Sequence, residues 1–439
     1  MANTYLTRTP TTENIDKLTL SCWVKRSSIT SSAQRIFSNA SSEYLFYRFD
    51  SNEKFRFTIV VDGNETTLRT ERVFRDTSAW YNIVVRWDTT QSTEADRIQI
   101  WVNGVRETSF SLATYPALNS TSDMFNSGTP FEIGRYATGN SEYFDGSLSH
   151  LHCCSGYAYD ATAFGSFDAN GVWKINTSPS VTYGTNGFFI LKDGNSVTDQ
   201  SGEGNNFTVG GGTLTNTEDS PSNVFATFNP LIGLHSNGST LVPNLEAGNT
   251  DAWYNSTAWR IAQSTLGASS GKYYAEFKQS NDYGTDYSYV GIWDIDAYAQ
   301  KISGYPYMAD MANCYGYYNV NGQISTGGSG NAYGNSYGNG NIIGIAMDLD
   351  NNKCYWSKDG TWQNSANPSN GTGGYSITAN KTYAMGIQFW NNAWRANFGN
   401  GYFGTTAVAS AGTNASGIGI FEYDVPTGYT ALSTKGLNL

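Results

Sequence analysis

The stretch Gly344-Ile-Ala-Met-Asp-Leu-Asp-Asn-Asn-Lys-Cys-Tyr-Trp-Ser-Lys-Asp-Gly360 contains two strand patterns separated by turn-forming residues. The first pattern starts two residues before this stretch, at Ile342, and ends at Met347, and the second runs from Lys353 to Trp356. The Asp and Asn residues between them favour a turn because their side chains bond readily to neighbouring backbone groups. The stretch therefore predicts an antiparallel hairpin with its tip at 348–352.

Alternating apolar and polar residues, the pattern of a strand with one buried face, recur in both halves of the chain. The clearest segments are Leu18–Val24, Phe55–Val61, Tyr81–Trp87 and Ile98–Val102, followed by Gly271–Phe277, Tyr289–Trp293, Tyr383–Phe389 and Trp394–Phe398. Helical periodicity is hard to find over about 11 residues or more, so we expect short helices at most. The sequence predicts an all-β protein with two antiparallel β-sandwich domains, jelly-roll-like, in tandem.

The strand patterns are interrupted by Gly210-Gly-Gly-Thr-Leu-Thr-Asn-Thr-Glu-Asp-Ser-Pro221, which has no periodicity and many turn formers. We therefore predict a first domain over residues 1–209 and a hinge or linker over 210–234. A second domain is expected over 235–425, followed by a C-terminal tail over 426–439.

The composition is poor in charge and rich in aromatic residues. Of 439 residues, 14% are charged and 15% aromatic, and 26 Lys and Arg against 37 Asp and Glu give a net charge of −11. No basic run exceeds two residues, which excludes the electrostatic footprint of a nucleic-acid-binding protein. Aromatic side chains supply ample apolar area for folded cores, so we do not expect disorder.

Targeting signals and metal-binding cysteine motifs are missing from the sequence. Met1–Pro10 lacks the basic and apolar regions of a signal peptide, and no window approaches 18 consecutive apolar residues. We therefore expect cytoplasmic synthesis and no membrane segment. The five cysteines form no CxxC motif, and Cys22 and Cys354 lie within strand patterns, which favours buried free thiols.

Two groups of motifs resemble known domain families. Residues 1–165 resemble a laminin-G-type, concanavalin-like jelly roll through Cys22–Lys25, Trp80–Trp87, Ile100–Gly104, Glu132–Gly134 and Phe144–Gly146. Residues 251–399 resemble a SPRY domain through Gly271–Phe277, Val290–Trp293, Met347–Asp350 and Trp356–Gly360. These resemblances imply two non-catalytic sandwich domains that bind or build something.

The combination, with the linker Asp219-Ser-Pro-Ser-Asn-Val-Phe-Ala-Thr-Phe-Asn-Pro230, resembles virion proteins of tailed bacteriophages. The resemblance implies a non-enzymatic virion structural protein, such as a tail fibre, spike or capsid-fibre component that adheres to host surface glycans. Its expected partners are other virion proteins and copies of itself, with a trimer as the usual form of a fibre. A purely structural capsid decoration or knob protein is the alternative hypothesis, and a glycan hydrolase is a third, less favoured hypothesis.

The acidic residues argue against the hydrolase. Laminarinase-type sandwiches carry a Glu-x-Asp-x-x-Glu strand that sets two carboxylates across the glycosidic bond, and this chain has no such run. The nearest pairs are Asp294 with Asp296 and Asp348 with Asp350, and each pair adjoins a turn. We expect them to stabilise turns and predict no catalytic residues.

Two positions in the first domain are candidates for metal binding. Laminin-G-like domains often hold calcium, and the resemblance implies Asp145 of Phe144-Asp-Gly146 as the candidate, with Asp88 or Asp123 assisting. The alternative for Asp145 is a turn residue, and no other cofactor is expected. His150 and His152, followed by two cysteines, would share a strand face, but no second pair of ligands is visible.

The segment from Asn321 to Asn341 is rich in Gly, Asn, Ser and Tyr, which is the composition of adaptable binding loops. Tyrosine faces stack on sugar rings, and amides bind hydroxyl groups. We predict that the binding residues are Tyr305, Tyr307, Tyr315, Tyr317, Tyr318, Tyr333 and Tyr337. The alternative is a surface loop that packs against a neighbouring subunit.

Overall fold

The computed structural model describes residues 3–29, 32–39, 43–192, 196–232, 241–299 and 307–439. It confirms the all-β prediction, because α1 (Ile295–Ala299) is the only α-helix in those ranges. Short 3₁₀ turns occur at Glu94–Asp96, Ala161–Ala163, Pro368–Asn370 and Gly436–Asn438. No helix in the described ranges has the length and apolarity needed to cross a membrane. The chain divides into two compact units, residues 1–216 and 217–439.

The first unit is a β-sandwich. Its strands are β1 (Tyr5–Arg8), β2 (Glu13–Ile15), β3 (Lys17–Arg26), β4 (Gln34–Asn39), β5 (Leu45–Phe49), β6 (Lys54–Val61), β7 (Asn64–Val73), β8 (Tyr81–Asp88), β9 (Ile98–Val102), β10 (Val105–Arg106), β11 (Phe110–Thr114), β12 (Ser122–Phe125), β13 (Phe131–Ile133), β14 (Gly146–Ser155), β15 (Gly165–Phe167), β16 (Trp173–Ile175), β17 (Phe188–Ile190) and β18 (Thr208–Gly211). Within the described residues, one sheet has the order β11-β7-β6-β5-β4-β13-β1-β18 and the other has the order β10-β9-β8-β3-β14-β17.

Strand alternation builds the core between these two sheets. In β6, Phe55, Phe57 and Ile59 point inward and have no exposed surface. In β3, on the other sheet, Leu20 and Cys22 join the same apolar cluster. The sequence pattern that predicted these strands therefore also identified which of their residues form the core.

The second unit is also antiparallel, apart from one short parallel pairing. Its strands are β19 (Asn244–Glu246), β20 (Asp251–Trp253), β21 (Trp259–Ala268), β22 (Lys272–Asp294), β23 (Tyr315–Tyr318), β24 (Gln323–Thr326), β25 (Ser329–Ala332), β26 (Ile342–Asp348), β27 (Lys353–Lys358), β28 (Thr361–Trp362), β29 (Tyr375–Ser376), β30 (Tyr383–Asn397), β31 (Tyr402–Phe403), β32 (Thr406–Ala407) and β33 (Thr430–Ala431). The long strands β22 and β30 pair along most of their length.

The hairpin predicted at 342–358 is confirmed as β26 and β27, which pair from Ile343 opposite Lys358 to Asp348 opposite Lys353. At its tip, the Asp348 carboxylate accepts hydrogen bonds from the Asn351 backbone and side chain, at 3.0 and 2.9 Å. Lys272 Nζ lies 3.0 Å from the same buried carboxylate. Asp348 is therefore a turn residue, as the sequence predicts.

The segment predicted as a hinge is ordered structure in the described part of 210–234. Residues 208–211 form β18, which pairs with β1 and completes the first sheet. Phe225 and Phe228 are buried in the second unit, where each forms a bridge to a neighbouring segment. The turn formers of this segment drew the prediction of a linker, but its two phenylalanines bury too much apolar area to remain exposed.

The predicted C-terminal tail, 426–439, is also part of the second unit. β33 pairs in parallel with β22, with Thr430 opposite Tyr273. Tyr429 and Leu432 are buried in its apolar clusters. The predicted tail therefore closes the second core.

All five cysteines are buried free thiols, as predicted. Three lie in the first unit and two in the second. Burial raises the pKa of each thiol above its ordinary value, so the neutral form persists.

Candidate functional site

One sheet face of the second unit carries a group of partly exposed aromatic side chains, which we call the aromatic patch. The most exposed member is Tyr287, with 38% of its surface accessible. The members of the patch are Trp259, Tyr287, Tyr289, Tyr307, Tyr318 and Trp390. All six are connected through ring contacts.

Four adjacent strands carry five of these rings, and Tyr307 lies outside the strands and contacts Trp259. In β22, Tyr287 and Tyr289 alternate with the buried Ser288 and Val290, so the two tyrosines share the outer side. Trp390 of β30 lies opposite both Tyr287 and Trp259 of β21. Tyr289 lies opposite Tyr318 of β23. The pairing register of the four strands thus brings residues that are distant in sequence together on one surface.

The rings are held at van der Waals spacing. The Tyr289 and Tyr318 rings are stacked, with centroids 4.5 Å apart and planes inclined by 14°. Trp259 is the hub, with its ring centroid 6.4 Å from Tyr287, 5.8 Å from Trp390 and 5.7 Å from Tyr307. Because the rings support one another, their faces are preorganised for a flat apolar ligand.

The aromatic patch begins where a covering segment ends. Further along β22, Trp293 is fully buried and packs in a cluster with Met308, Met311 and Cys314. The Met308 backbone N–H donates to Gln388 Oε1 at 2.6 Å, which fixes this cover to β30. Beyond it, the same sheet face carries the partly exposed rings.

The aromatic patch offers hydroxyl groups but no formal charge. Burial, and then the neighbouring Tyr318, raise the pKa of Tyr289 to about 12, so its hydroxyl stays protonated. Aromatic faces combined with neutral donors and acceptors suit rings that have one apolar face and equatorial hydroxyls. Sugars have that geometry.

Four of the predicted binding tyrosines are core residues, which corrects the sequence prediction. Tyr315, Tyr317, Tyr333 and Tyr337 retain 6, 0, 7 and 6% of their surface. Tyr333 and Tyr337 turn inward and meet buried tryptophans edge to face. Apolar burial outweighs the binding-loop composition, because each ring gains more from the core than from water.

The remaining predicted tyrosines divide differently. Tyr307 and Tyr318 belong to the aromatic patch. Tyr305 lies outside the described residues. Sequence reasoning missed Trp259, Tyr287 and Trp390 as surface residues and treated Tyr289 only as part of a strand. The alternation in Tyr287-Ser-Tyr289 was the available signal for the two tyrosines.

The candidate metal residues of the first unit are Asp145, His150 and His152. Asp145 is partly exposed, and its backbone oxygen accepts the Ser27 N–H at 3.0 Å. The described residues contain no cluster of three His, Cys, Asp or Glu suited to a metal ion. Calcium at Asp145 stays a prediction. His152 is a core residue that stacks on Phe189 at 3.9 Å, and burial lowers its pKa well below the ordinary value.

One carboxylate of each pair considered for catalysis, Asp294 and Asp348, is buried and paired, whereas Asp296 and Asp350 are exposed. Asp294 is fully buried, with Lys381 Nζ at 3.1 Å and Asn313 Nδ2 at 3.2 Å. Asp348 is equally buried and is paired with Lys272. Neither carboxylate is available to a substrate, because both are neutralised by lysine within the fold.

Comparison with known proteins supports a lectin-like fold in the first unit. The family described as "Concanavalin A-like lectin/glucanases superfamily" matches residues 2–156. No curated protein matches the chain.

Similar solved structures include the native heptameric SAP-like pentraxin from Limulus polyphemus, with 16% identity and a TM-score of 0.26, covering 36% of this chain and 72% of the pentraxin chain. The SPRY domain of human HERC1 has 13% identity and a TM-score of 0.26, covering 34% of this chain and 87% of that domain. A human SPRY domain has 13% identity and a TM-score of 0.25, covering 34% and 90%.

Proposed function

We propose that this protein is a non-enzymatic glycan-binding protein and that the aromatic patch is a surface on which sugar rings stack. The observation that carries the proposal is the patch itself: six mutually supported aromatic rings lie on one sheet face and remain partly exposed. Rings that served only the core would be fully covered, as Tyr317 is.

Two further observations support this proposal. The first unit matches a lectin and glucanase superfamily, yet the chain has no Glu-x-Asp-x-x-Glu strand. In the second unit, Asp348 and Asp294 form ion pairs with Lys272 and Lys381. A lectin-like fold without available paired carboxylates fits binding better than hydrolysis.

We further propose that the glycan belongs to a bacterial surface and that the protein is a phage virion component. The support is the resemblance of the sandwich pair and of the segment 219–230 to tailed-phage virion proteins. Other virion proteins and further copies of this chain are the partners in this proposal. The competing proposal is a purely structural decoration protein whose aromatic patch is a subunit contact.

Binding to extracted host polysaccharide, measured by a glycan array and by calorimetry, tests the proposal. We expect Trp259→Ala and Tyr287→Ala each to weaken binding about tenfold, since an aromatic contact is worth about 0.5–1.5 kcal/mol beyond its buried area. Tyr157→Ala, at an exposed tyrosine of the first unit, is the matched control and should bind as the wild type does.

Light scattering on the same variants separates the two proposals. If Tyr287→Ala changes the oligomeric state and leaves polysaccharide binding intact, the aromatic patch is a subunit contact. If the wild-type protein binds no host polysaccharide, the proposed adhesive function is wrong.

A further inference from the structure

An unpaired carboxylate lies at the rim of the aromatic patch. Asp310 is exposed, and its side chain forms no hydrogen bond or ion pair with any of the described residues. Three other aspartates of the second unit, Asp251, Asp294 and Asp348, each pair with a basic side chain at 2.9–3.1 Å. The negative charge of Asp310 is therefore not neutralised by the described part of the fold.

A tight turn connects Asp310 to the aromatic patch. The Asp310 backbone N–H donates to the carbonyl oxygen of Tyr307, a member of the patch, at 3.0 Å. Met308 belongs to the same turn, and its side chain and the Cβ of Tyr289 both lie against Gly316. Burial is the main cause of the raised pKa of Tyr289, and the negative charge of Asp310 adds to it. The carboxylate therefore acts on the edge of the patch that Tyr289 forms.

The rings of the aromatic patch differ from other rings of the protein in their lack of a basic neighbour. Elsewhere, guanidinium groups lie over aromatic rings, at 3.4–3.8 Å in the closest pairs. Within the described ranges, no Lys or Arg lies over Trp259, Tyr287 or Tyr289. Arg260 follows Trp259 in β21 but stacks on Tyr254 at 3.4 Å instead. A cation at these rings would therefore have to come from a ligand.

The charge of the chain also favours a cationic ligand. The net charge is −11, and residues 217–439 contain 15 acidic and 9 basic residues. Such an excess attracts cations and repels anions over a distance of about 10 Å at 0.1 M salt. At close range, the electron-rich faces of Trp and Tyr attract an ammonium group. The long-range and short-range interactions therefore favour the same sign of charge on the ligand.

We propose that the aromatic patch and Asp310 together bind a glycan that carries protonated amino groups. This inference rests on the proposed glycan-binding function and specifies its class of ligand. The sugar ring packs against the aromatic side chains, while its ammonium group pairs with the Asp310 carboxylate and is attracted by the Tyr289 ring. The ligand thereby supplies both the partner that Asp310 lacks and the cation that the rings lack.

Other ligands fit this surface less well. A neutral glycan leaves Asp310 unpaired, and an acidic glycan brings a second negative charge towards it, which is repulsive. A calcium ion needs about six to eight oxygen ligands, whereas this rim offers a single carboxylate. An amino sugar needs only one carboxylate and a ring face.

Titration of the full chain with two oligosaccharides of equal length, one of glucosamine and one of N-acetylglucosamine, tests the inference. Both have the same backbone, but acetylation removes the positive charge, and at about pH 6 the free amine is protonated. Quenching of tryptophan fluorescence reports binding, because Trp259 and Trp390 belong to the patch. We expect the glucosamine oligomer to bind about tenfold more tightly, from one cation–π contact and one charge pair.

Variants at Asp310 separate charge from shape. Asp310→Asn should weaken binding of the glucosamine oligomer about threefold to tenfold and change binding of the acetylated oligomer less than about twofold. Asp310→Lys, which places a cation at the patch, should weaken the glucosamine oligomer further. Asp62→Asn is the matched control, because Asp62 is an exposed aspartate of the first unit with a φ of 49°, which asparagine tolerates. It removes the same charge and should bind both oligomers as the wild type does.

The inference is overturned if the wild type fails to bind the glucosamine oligomer or binds it no more tightly than the acetylated one. It is also overturned if Asp310→Asn and Asp62→Asn lose affinity equally, because the effect is then one of net charge alone. Failure of the proposed function gives a different result. Host polysaccharide that binds with no preference for amines would support glycan binding and contradict this inference.

Discussion

At the scale of single residues, Glu276 shows how burial changes chemistry in this fold. Its side chain has no exposed surface, and its carboxylate accepts the backbone N–H groups of Glu422 and Tyr423 at 2.9 and 2.8 Å. Tyr274 and Asn397 also donate to it. Burial still raises its pKa to about 7, because four donors offset only part of the lost hydration.

This raised pKa predicts a loss of stability as the pH rises. A carboxyl group with a higher pKa in the folded state binds its proton more tightly there than in the unfolded chain. Its contribution is therefore present below the ordinary pKa of 4.5 and is lost as the pH rises through about 7. We expect the unfolding free energy of the wild type to fall relative to Glu276→Gln by roughly 3 kcal/mol at most between pH 4.5 and 8.

Urea titrations of both proteins, followed by tryptophan fluorescence at several pH values, give this difference directly. Other titrating groups cancel in the comparison. A difference that stays constant from pH 4.5 to 8 would show that the pKa of Glu276 is not raised.

The tyrosines show which site residues could be predicted from sequence. In Tyr315-Gly-Tyr-Tyr318, strand alternation separates Tyr315 and Tyr317 from Tyr318, and the structure buries the first two. Strand alternation therefore distinguishes the buried tyrosines from the partly exposed one, although the Gly, Asn, Ser and Tyr composition that follows favours a binding loop. Tyr333 and Tyr337 are different, because the space they fill is created by distant tryptophans. No local pattern reveals such a space.

At the scale of elements, the hairpin β26–β27 and the bulge of β22 behave differently. The hairpin follows from local signals, since two apolar runs flank a short polar turn. The bulge between Asp282 and Tyr287 depends on pairing with β30, more than 100 residues away. The aromatic patch was unpredictable for the same reason, because five of its six rings come from four strands aligned by long-range register.

The hairpin tip provides an element-scale prediction. Asp348→Ala removes a buried carboxylate, and Lys272 and the Asn351 amides then lose their partner. We expect a loss of about 3–5 kcal/mol in unfolding free energy, as for other broken buried pairs. Chemical denaturation measures it.

Asp350→Ala, in the same turn, is the matched control. Asp350 is exposed and accepts one hydrogen bond, from the Gly271 N–H at 2.8 Å. It should cost no more than about 1.5 kcal/mol. Equal losses in the two variants would contradict a special role for the buried pair.

At the scale of the whole molecule, each unit has its own apolar core, and the all-β tandem sandwich was predictable from alternation and turn signals. The predicted hinge and tail were not recognised as parts of these units. In both segments, turn formers dominate the local composition, while a few large apolar residues decide the packing. Leu432 is such a residue.

Leu432 and Leu439 allow a matched test of this packing. Leu432 has no exposed surface, whereas Leu439 is 84% exposed. Leu432→Ala should cost about 2–5 kcal/mol through lost burial and a cavity, and Leu439→Ala should cost less than about 0.5 kcal/mol. Thermal unfolding of both variants gives the comparison. Similar Tm values would mean that the segment 426–439 does not stabilise the second unit.

The reactivity of the five buried thiols reports the unfolding of each unit. A thiol reagent modifies only an exposed cysteine. All five cysteines are buried here, so each one reacts only after its unit unfolds. Cys22, Cys153 and Cys154 report on the first unit, and Cys314 and Cys354 report on the second. Mass spectrometry of partly alkylated protein would therefore reveal which half of the chain gives way first under heat or denaturant, without any introduced label.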